Sequence, residues 1–388
     1  MSILIIGAGH AGGAVAANLR QLGSDAPITI IGDEPYLPYQ RPPLSKAWLK
    51  SDVAFAAVGL RPQSYYEQRG ITLRLDARAS SIDRSAHTIT LASGETLGYR
   101  TLILATGARA RRLGLAGEDL PNVHVLRTIA DADRIKAALV AGQRLVVIGG
   151  GYIGLEVAAS ARLKGMDVLV VEREARLLAR VASPPISAFM QSFHERQGVR
   201  FQLETGVAGF DVRDGRVAGV QLSSGETAAA DMVLVGVGAV PNTELAQAAG
   251  ITCSNGIAVD LEARTSDPDI FAIGDCTERP LLHYGCRARL ESVASALEQA
   301  RQAAAAICGG KAPAPEVPWF WSDQYDLKLQ IAGLPIGATR IDVRGDMEQG
   351  KFAVAHLDGE GRLCAVEAVN APAEYMAGRA TIGKQRAG

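Results

Sequence analysis

Residues 3–12 read ILIIGAGHAG and residues 145–154 read LVVIGGGYIG. Each stretch joins a short apolar run to a G-x-G-x-x-G motif, and a helical pattern follows. In such a motif the first glycine permits a tight turn, and the second lets the backbone approach a pyrophosphate at the helix N-terminus. The third glycine lets the helix pack closely on the strand. The sequence therefore predicts two dinucleotide-binding units, and hence two cofactors, in one chain.

An acidic residue follows the next apolar strand of each unit. In the first unit the strand ITIIGDE ends in Asp33 and Glu34, and either carboxylate can accept hydrogen bonds from a ribose. In the second unit the strand DVLVVE ends in Glu172. A carboxylate there suits a free 2′-hydroxyl and repels a 2′-phosphate, which favours NAD over NADP although Arg173 follows directly. Purely structural glycine-rich turns are the alternative, and two motifs in full context argue against it.

The two units continue with similar sequences, which indicates an internal repeat. Each starts a strand after a glycine, turns at Ser-Gly-Glu-Thr (residues 93–96 and 224–227) and ends in an apolar strand. We interpret the second unit as a domain inserted into the first. The predicted fold class is α/β, with two Rossmann-like dinucleotide-binding domains and a small α+β C-terminal domain. The predicted boundaries are 1–106 with 239–312 for the first domain, 107–238 for the inserted domain and 313–388 for the C-terminal domain.

Composition and charge argue against several classes of protein. The chain has 388 residues, a formal net charge of −1 and a hydrophobic fraction of 48%, so no global field favours nucleic acid or an anionic membrane. No apolar run reaches the roughly 18 residues of a membrane-spanning helix. The five cysteines are scattered and form no metal-type cluster with the histidines. This usage indicates a reducing compartment, and we expect a cytoplasmic protein without a metal site.

Residues 38–46 read PYQRPPLSK and place one ammonium group just past the first nucleotide-binding unit. The adjacent prolines fix two φ angles, and Ser45 can cap the short helical pattern that follows. Lys46 is therefore held in a defined position. An exposed lysine at the start of a helix is the alternative interpretation, and the same holds for the helix-start glutamate Glu156.

Five motifs in order, GAGHAGG, RPPLSK, LILATG, GGGYIGLE and IFAIGD, resemble those of the FAD-dependent pyridine-nucleotide reductases. RPPLSK, RLESV and WFWSDQY make the chain similar to the oxygenase-coupled NADH–ferredoxin reductases of the putidaredoxin reductase type. The resemblance runs from Met1 to about Asn370. It implies a glutathione-reductase-like fold with an FAD domain, an inserted NAD domain and a C-terminal domain at the flavin.

The resemblance implies bound FAD and exchangeable NADH, with contacts carried over residue by residue. FAD contacts are expected at Gly7, Gly9, Ala11, Gly12, Asp33, Glu34, Lys46, Ala79, Ala105, Gly107, Arg127, Gly274, Asp275 and Val293. NAD contacts are expected at Gly149, Gly151, Tyr152, Ile153, Gly154 and Glu172.

The resemblance also implies which residues act on the reaction. Lys46 is expected to point at the isoalloxazine ring near N5, where its ammonium stabilises negative charge as hydride arrives. Glu156 is expected to pair with that ammonium and keep it oriented. Trp319 and Trp321 are the aromatic candidates for the flavin or the partner surface, and Trp321 is expected at the flavin edge. Core packing is the rival interpretation for both.

The implied function is that of an NADH-dependent ferredoxin reductase. Hydride passes from NADH to FAD, and single electrons pass to a [2Fe–2S] ferredoxin that docks near the flavin edge. The stretch ESVASALEQA favours a cytochrome P450 system over a ring-hydroxylating dioxygenase. Ferredoxins of this kind are acidic, so a basic patch is expected, and ordinary surface charge is the alternative for each member. The candidates are Arg287, Arg289, Lys328, Arg340 and Arg344.

Two other functions are compatible with the same fold. One is an NADH oxidase, or a peroxide or disulfide reductase. Peroxide and disulfide reductases need a redox cysteine at the flavin, yet PYQRPPLSK and residues 107–238 contain no cysteine. An NADH-sensing flavoprotein usually carries targeting or basic nuclear segments, and none is visible. We expect a monomer.

Two features depart from the family pattern. Relatives often have asparagine where this chain has Ser295, which we expect to alter a helix-end contact but not the identity of the cofactor. Relatives also usually continue past the position of Gly388, so we expect a tail that is missing from this sequence.

Overall fold

The computed structural model describes residues 2–385, and the tail expected beyond Gly388 lies outside them. The first parallel sheet is built around the strand Ile3–Ile6. In spatial order its strands are Ile270–Ala272, Thr101–Leu104, Ile3–Ile6, Ile28–Ile31 and Ile71–Arg74. All neighbours are parallel, which explains why these strands read as continuous apolar runs in the sequence.

Both faces of this sheet are covered, and successive side chains of a strand point to opposite faces. Ile5 packs on the helices His10–Gln21 and Val293–Ile307, whose alanines allow a close approach to the strands. Ile6 packs on the other side, beneath an antiparallel sheet. That sheet consists of Ala79–Asp83, Thr88–Leu91 and Thr96–Gly98.

The second parallel sheet repeats this plan around the strand Arg144–Ile148. In spatial order its strands are Val199–Gln202, Asp167–Val171, Arg144–Ile148, Met232–Val235 and Val123–His124. The helices Ile129–Ala138 and Tyr152–Leu163 cover one face. An antiparallel sheet covers the other and consists of Val207–Arg213, Arg216–Leu222 and Thr227–Ala229. The internal repeat seen in the sequence is thus a repeat of architecture.

Two short antiparallel strands, Ala108–Ala110 and Ala239–Pro241, pair where the chain passes between the two parallel sheets. The domain boundaries predicted at 106/107 and 238/239 lie beside this ribbon and stay a prediction. Beyond the second crossing lie the helix Glu244–Ala248 and a small sheet. The strands of that sheet are Ile257–Ala258, Thr277–Leu281 and Cys286–Ala288.

The C-terminal part forms one antiparallel sheet with a helix on it. In spatial order its strands are Trp319–Gln324, Leu327–Gly333, Leu363–Val369, Lys351–Leu357 and Arg340–Asp346. The helix Pro372–Gln385 packs on one face. The other face packs on the second domain, where Leu329 and Phe352 meet Leu155 and Phe189. The predicted fold class is therefore confirmed.

The remaining helical segments are short, apart from one. They are Pro42–Ser45, Ala47–Lys50, Phe55–Ala57, Gln63–Gln68, Pro184–Arg196 and Leu282–Tyr284. Within residues 2–385 no helix combines the length and the apolar character that crossing a bilayer requires.

Candidate active site

The first glycine motif leaves a helix N-terminus open at the carboxyl edge of the first sheet. Gly7 has φ +119°, and a Cβ there would lie 2.1 Å from the carbonyl oxygen of Ala105. A Cβ at Gly12 would lie 1.9 Å from the oxygen of Gly7. Gly9 is the N-cap of His10–Gln21, makes no side-chain cap and has no atom within 4 Å of a Cβ position. Backbone N–H groups thus face open space that fits a pyrophosphate.

The second motif has the same geometry. Gly149 has φ +107°, and its Cβ would lie 2.5 Å from the oxygen of Gly236. A Cβ at Gly154 would lie 2.3 Å from the oxygen of Gly149. Gly151 caps Tyr152–Leu163 without a side-chain bond, and nothing lies within 4 Å of its Cβ position. Both cradles fit dinucleotide phosphates because glycine has no Cβ atom to clash with the backbone or to fill the space at the helix N-terminus.

The acidic residues after the two second strands differ in their partners. Glu172 accepts hydrogen bonds from the backbone N–H of Gly150 at 2.6 Å and of Glu174 at 2.9 Å, which fixes its carboxylate beside the second motif. Glu34 instead accepts from Arg41 at 2.9 Å and from the hydroxyl of Tyr39 at 2.7 Å. Because the loop carrying Arg41 folds back over Glu34, the exposed Asp33 is the better ribose candidate of the two.

A half-buried arginine lies beside Asp275, the acidic residue expected to contact FAD. Arg127 donates to Asp275 at 2.7 Å, while its Nε is buried without a partner in the described part of the chain. Since buried donors are almost always paired, this N–H fits the polar groups of a bound FAD. Gly274, with φ +82°, donates its N–H to Gln299 at 2.8 Å and so turns Asp275 toward the site.

The other expected FAD contacts lie along the same edge, where ligands of open α/β sheets bind. Ala11 lies in the first turns of its helix, Ala79 begins a strand, and Ala105 directly follows the strand Thr101–Leu104. Gly107 follows with φ +63°. Val293 is the first residue of its helix.

Ser292 caps the helix that begins at Val293. Its hydroxyl accepts from the backbone N–H of Ser295 at 3.1 Å. Ser295, where relatives often have asparagine, thus contributes its backbone N–H to the start of the helix, and this contact does not depend on its side chain.

Lys46 and Glu156 meet at the junction of three parts of the molecule. Lys46 Nζ lies 2.8 Å from Glu156 Oε2, with side chains 15% and 2% exposed. The hydroxyl of Ser45 also donates to Oε2, and the hydroxyl of Ser322 donates to Oε1 at 2.6 Å. A carboxylate with three donors has one fixed orientation, which is how it can hold an ammonium group in place.

Local backbone structure explains why Lys46 lies there. The prolines start a turn of 3₁₀ helix, Pro42–Ser45, and Lys46 separates it from the helix Ala47–Lys50. Lys46 Nζ also lies 3.3 Å from the carbonyl oxygen of Pro42, and Ser160 donates to the carbonyl oxygen of Ser45 at 3.0 Å. The sequence pattern indicated the rigid lysine, but not the two serines at the carboxylate. The hydroxyl groups of these two serines were the only signal in the sequence for that role.

The aromatic residues of WFWSDQY divide between the two faces of their strand. Phe320 lies 4.6 Å from the ring of Tyr152 between centroids, and the Tyr152 hydroxyl donates to Val181 at 3.1 Å. Burial raises the pKa of Tyr152 above its usual range. Trp321 is half-buried and stacks on Trp319 at 5.6 Å, so the pleat directs both away from the side of Ser322. The expected place of Trp321 at the flavin edge stays a prediction.

Ile153, the last of the expected NAD contacts, shows a different environment. Its side chain is 44% exposed in the first turn of the helix Tyr152–Leu163, where an apolar residue has no core to fill. Exposure of this kind suits a surface that a nucleotide covers.

The expected basic patch is divided. Arg287 donates to two backbone oxygens at 2.8 and 2.9 Å, Arg289 pairs with Glu291, and Arg340 lies 3.3 Å from Asp342. Arg344 lies on the strand at the far edge of the sheet from Trp321, about 19 Å away at the usual strand spacing. Lys328 is exposed on the strand next to that of Trp321. A docking role stays a prediction for all five.

Family models match almost the whole chain. The model described as pyridine nucleotide-disulphide oxidoreductase matches residues 1–300, and the model described as reductase C-terminal matches residues 319–387. The chain belongs to the pyridine nucleotide-disulphide oxidoreductase family. It is a flavin-dependent oxidoreductase, and FAD and NAD(H) are its cofactors.

Individual proteins resemble the chain over nearly its full length. A probable ferredoxin reductase of Castellaniella defragrans is 48% identical, over 98% of this chain and 93% of that protein. The rhodocoxin reductase of Rhodococcus erythropolis is 46% identical, over 99% and 90%. The crystal structure of a covalent putidaredoxin reductase–putidaredoxin complex superposes with a TM-score of 0.96 at 41% identity, covering 98% of this chain and 92% of that one.

Proposed function

We propose that the protein is an NADH-dependent ferredoxin reductase. Bound FAD supplies the chemistry of such an enzyme, since it accepts a hydride from NADH and releases single electrons to a [2Fe–2S] ferredoxin. The observation that supports this most is the Lys46–Glu156 pair, which joins the segment after the first glycine motif to the helix of the second. The relatives of this chain are named ferredoxin reductases.

The residues of the site have complementary roles in this proposal. Lys46 supplies a positive charge where negative charge develops, and Glu156 keeps that charge in place without reorganisation during the reaction. Glu172 offers a carboxylate whose orientation two backbone N–H groups already fix. It therefore selects a ribose with a free 2′-hydroxyl over one with a 2′-phosphate.

The thiol environments support electron transfer over disulfide or peroxide chemistry. Such chemistry needs an accessible thiolate. Cys276 follows Asp275 in the first nucleotide site, yet it is fully buried, and burial raises the pKa of its thiol. Its sulfur lies 3.3 Å from the carbonyl oxygen of Ile273, in the manner of a packed core residue.

We further propose that the ferredoxin serves a cytochrome P450 system. Rhodocoxin reductase and a reductase described for the CYP199A2 system, the latter at 43% identity, support this assignment. Reductases named for an anthranilate dioxygenase system and for rubredoxin match at 43% and 41%, so their acceptors belong in the same experiment. A monomeric state and a cytoplasmic location complete the proposal, and the five free cysteines support the latter.

The experiment is anaerobic reduction of the holoprotein by NADH, followed by addition of candidate acceptors. Ferredoxins from P450 and dioxygenase systems and a rubredoxin are compared, with cytochrome c as the final acceptor. Rapid flavin bleaching with NADH, little with NADPH and fastest transfer to a P450-type ferredoxin are expected. Fast bleaching without transfer to any acceptor would instead favour an oxidase or an NADH sensor. Glu172→Ala should narrow the preference for NADH at least tenfold, and equal use of both nucleotides by the wild type would refute the role of Glu172.

A further inference from the structure

The Glu156 carboxylate is the end of a longer buried hydrogen-bond series. Ser322 Oγ donates to Glu156 Oε1 at 2.6 Å, and Gln324 Nε2 donates to Ser322 Oγ at 3.1 Å. Gln324 Oε1 then lies 2.7 Å from His194 Nε2. His194 is fully buried in the last turn of the helix Pro184–Arg196, and Ser322 and Gln324 are each 1% exposed. We call Ser322, Gln324 and His194 the positioning series.

The positioning series has one direction. Ser322 has a single hydroxyl proton and gives it to Glu156, so it must accept from the amide nitrogen of Gln324. The amide oxygen then faces His194, whose Nε2 must carry a proton. Burial lowers the pKa of His194 to about 4, so the ring is neutral and its Nδ1 carries no proton. That fits a buried Nδ1 without a partner in the described residues. Every donor therefore points toward the carboxylate.

The helix that carries His194 is held by the C-terminal sheet at both ends. Glu367 accepts from the backbone N–H of Ser183, its N-cap residue, at 2.9 Å, and from His356 Nε2 at 2.9 Å. A carboxylate at a helix N-terminus is stabilised by the macrodipole. At the other end of the helix, Gln324 accepts a hydrogen bond from His194. The positioning series therefore connects this helix and the C-terminal sheet to the carboxylate that holds Lys46, while Glu367 separately fixes the start of the same helix.

We propose that Ser322, Gln324 and His194 are positioning residues that fix the Glu156 carboxylate against Lys46 and thereby set the redox potential of the bound flavin. The proposal rests on the proposed function insofar as Lys46 faces the flavin. None of the three residues touches the reacting atoms. Their effect depends on distance, because Ser322 bonds the carboxylate directly and the other two act through it.

Removal of the Ser322 hydroxyl leaves Glu156 Oε1 buried without a donor. The carboxylate then depends on Ser45 and on Lys46, and it draws the ammonium toward itself and away from the flavin. The ammonium group of Lys46 then stabilises the negative charge of the reduced flavin less. The reduced state is therefore favoured less, and the midpoint potential falls.

The test is the midpoint potential of the bound flavin, measured by spectroelectrochemistry on holoprotein variants. Ser322→Ala should shift the oxidised-to-reduced equilibrium about three- to tenfold toward oxidised, or about 15 to 30 mV for a two-electron couple. Gln324→Leu and His194→Phe should give smaller shifts in the same direction, in that order. Ser322→Thr keeps the hydroxyl and should restore the wild-type potential, which also keeps the test informative if the alanine variant folds poorly.

Ser187→Ala is the matched control. Ser187 is 2% exposed in the same helix as His194, and its hydroxyl donates to Leu177 without joining the positioning series. A loss of stability in Ser322→Ala with the potential unchanged, or an equal potential shift in Ser187→Ala, would overturn the proposal. A graded potential shift in a protein that reduces no ferredoxin would support the positioning series and refute only the proposed function.

Discussion

Replacing Lys46 with methionine leaves the Glu156 carboxylate buried without its cation. Methionine keeps an unbranched apolar stem, so packing around residue 46 is largely retained. The two side chains are 15% and 2% exposed, so water can replace little of the lost interaction. The variant therefore measures what the ion pair contributes to stability and to reaction rate.

The magnitude follows from the geometry. At 2.8 Å the attraction is about 6 kcal/mol for an effective dielectric constant of about 20. Removal of both ions from water offsets part of it, and loss of one partner of a buried pair costs about 3 to 5 kcal/mol. The hydroxyls of Ser45 and Ser322 still donate to the carboxylate. We expect the free energy of unfolding to fall by about 3 kcal/mol, and flavin reduction by NADH to slow about a hundredfold.

Thermal unfolding of the holoprotein measures the first effect, and stopped-flow absorbance under anaerobic NADH measures the second. Lys136→Met is the matched control, because Lys136 pairs with Asp52 at the surface, where an ion pair adds little. Adding Glu156→Gln to Lys46→Met should recover most of the stability but not the rate. A Lys46→Met protein as stable as the control, or one reduced at the wild-type rate, would refute this reasoning.

Three further predictions concern the cradles, the thiols and pH. Gly151→Val should abolish NAD binding without unfolding the protein, since nothing lies within 4 Å of its Cβ position. Gly154→Ala should instead destabilise the domain, because its Cβ would lie 2.3 Å from a backbone oxygen. Calorimetry with NAD measures the first effect, and thermal unfolding followed by circular dichroism measures the second. A maleimide should label exposed Cys308 but not buried Cys276 in the native protein, as mass spectrometry of the peptides will show. The pKa of His194 is about 4 in the folded protein and 6.5 in the free side chain, so the unfolded chain binds the proton at a higher pH than the folded protein does. The free energy of unfolding therefore falls by about 3 kcal/mol as pH falls from 6.5 to 4. His194→Gln should flatten melting temperature against pH over that interval, and an unchanged slope would contradict the assignment.

Much of the fold could be predicted because its signals are local. An apolar run, three glycines at fixed spacing and a helical pattern lie within a few residues of one another, and the glycines are needed because a backbone oxygen lies where a Cβ would be. The repeat of this unit predicted two similar domains. The rigid segment ending in Lys46 was also visible, because two prolines fix the turn that precedes it.

The sequence by itself determined the two nucleotide cradles, the acidic residue Glu172 and the fixed lysine, since each depends on neighbours in the chain. Only the tertiary structure decided what surrounds Glu156, because Ser45, Ser322 and the residues behind them come from three regions far apart in sequence. It also turned Glu34 toward Arg41 instead of a ribose. Hydrogen bonds between distant side chains leave no spacing to read, and their partners are set by how the domains pack.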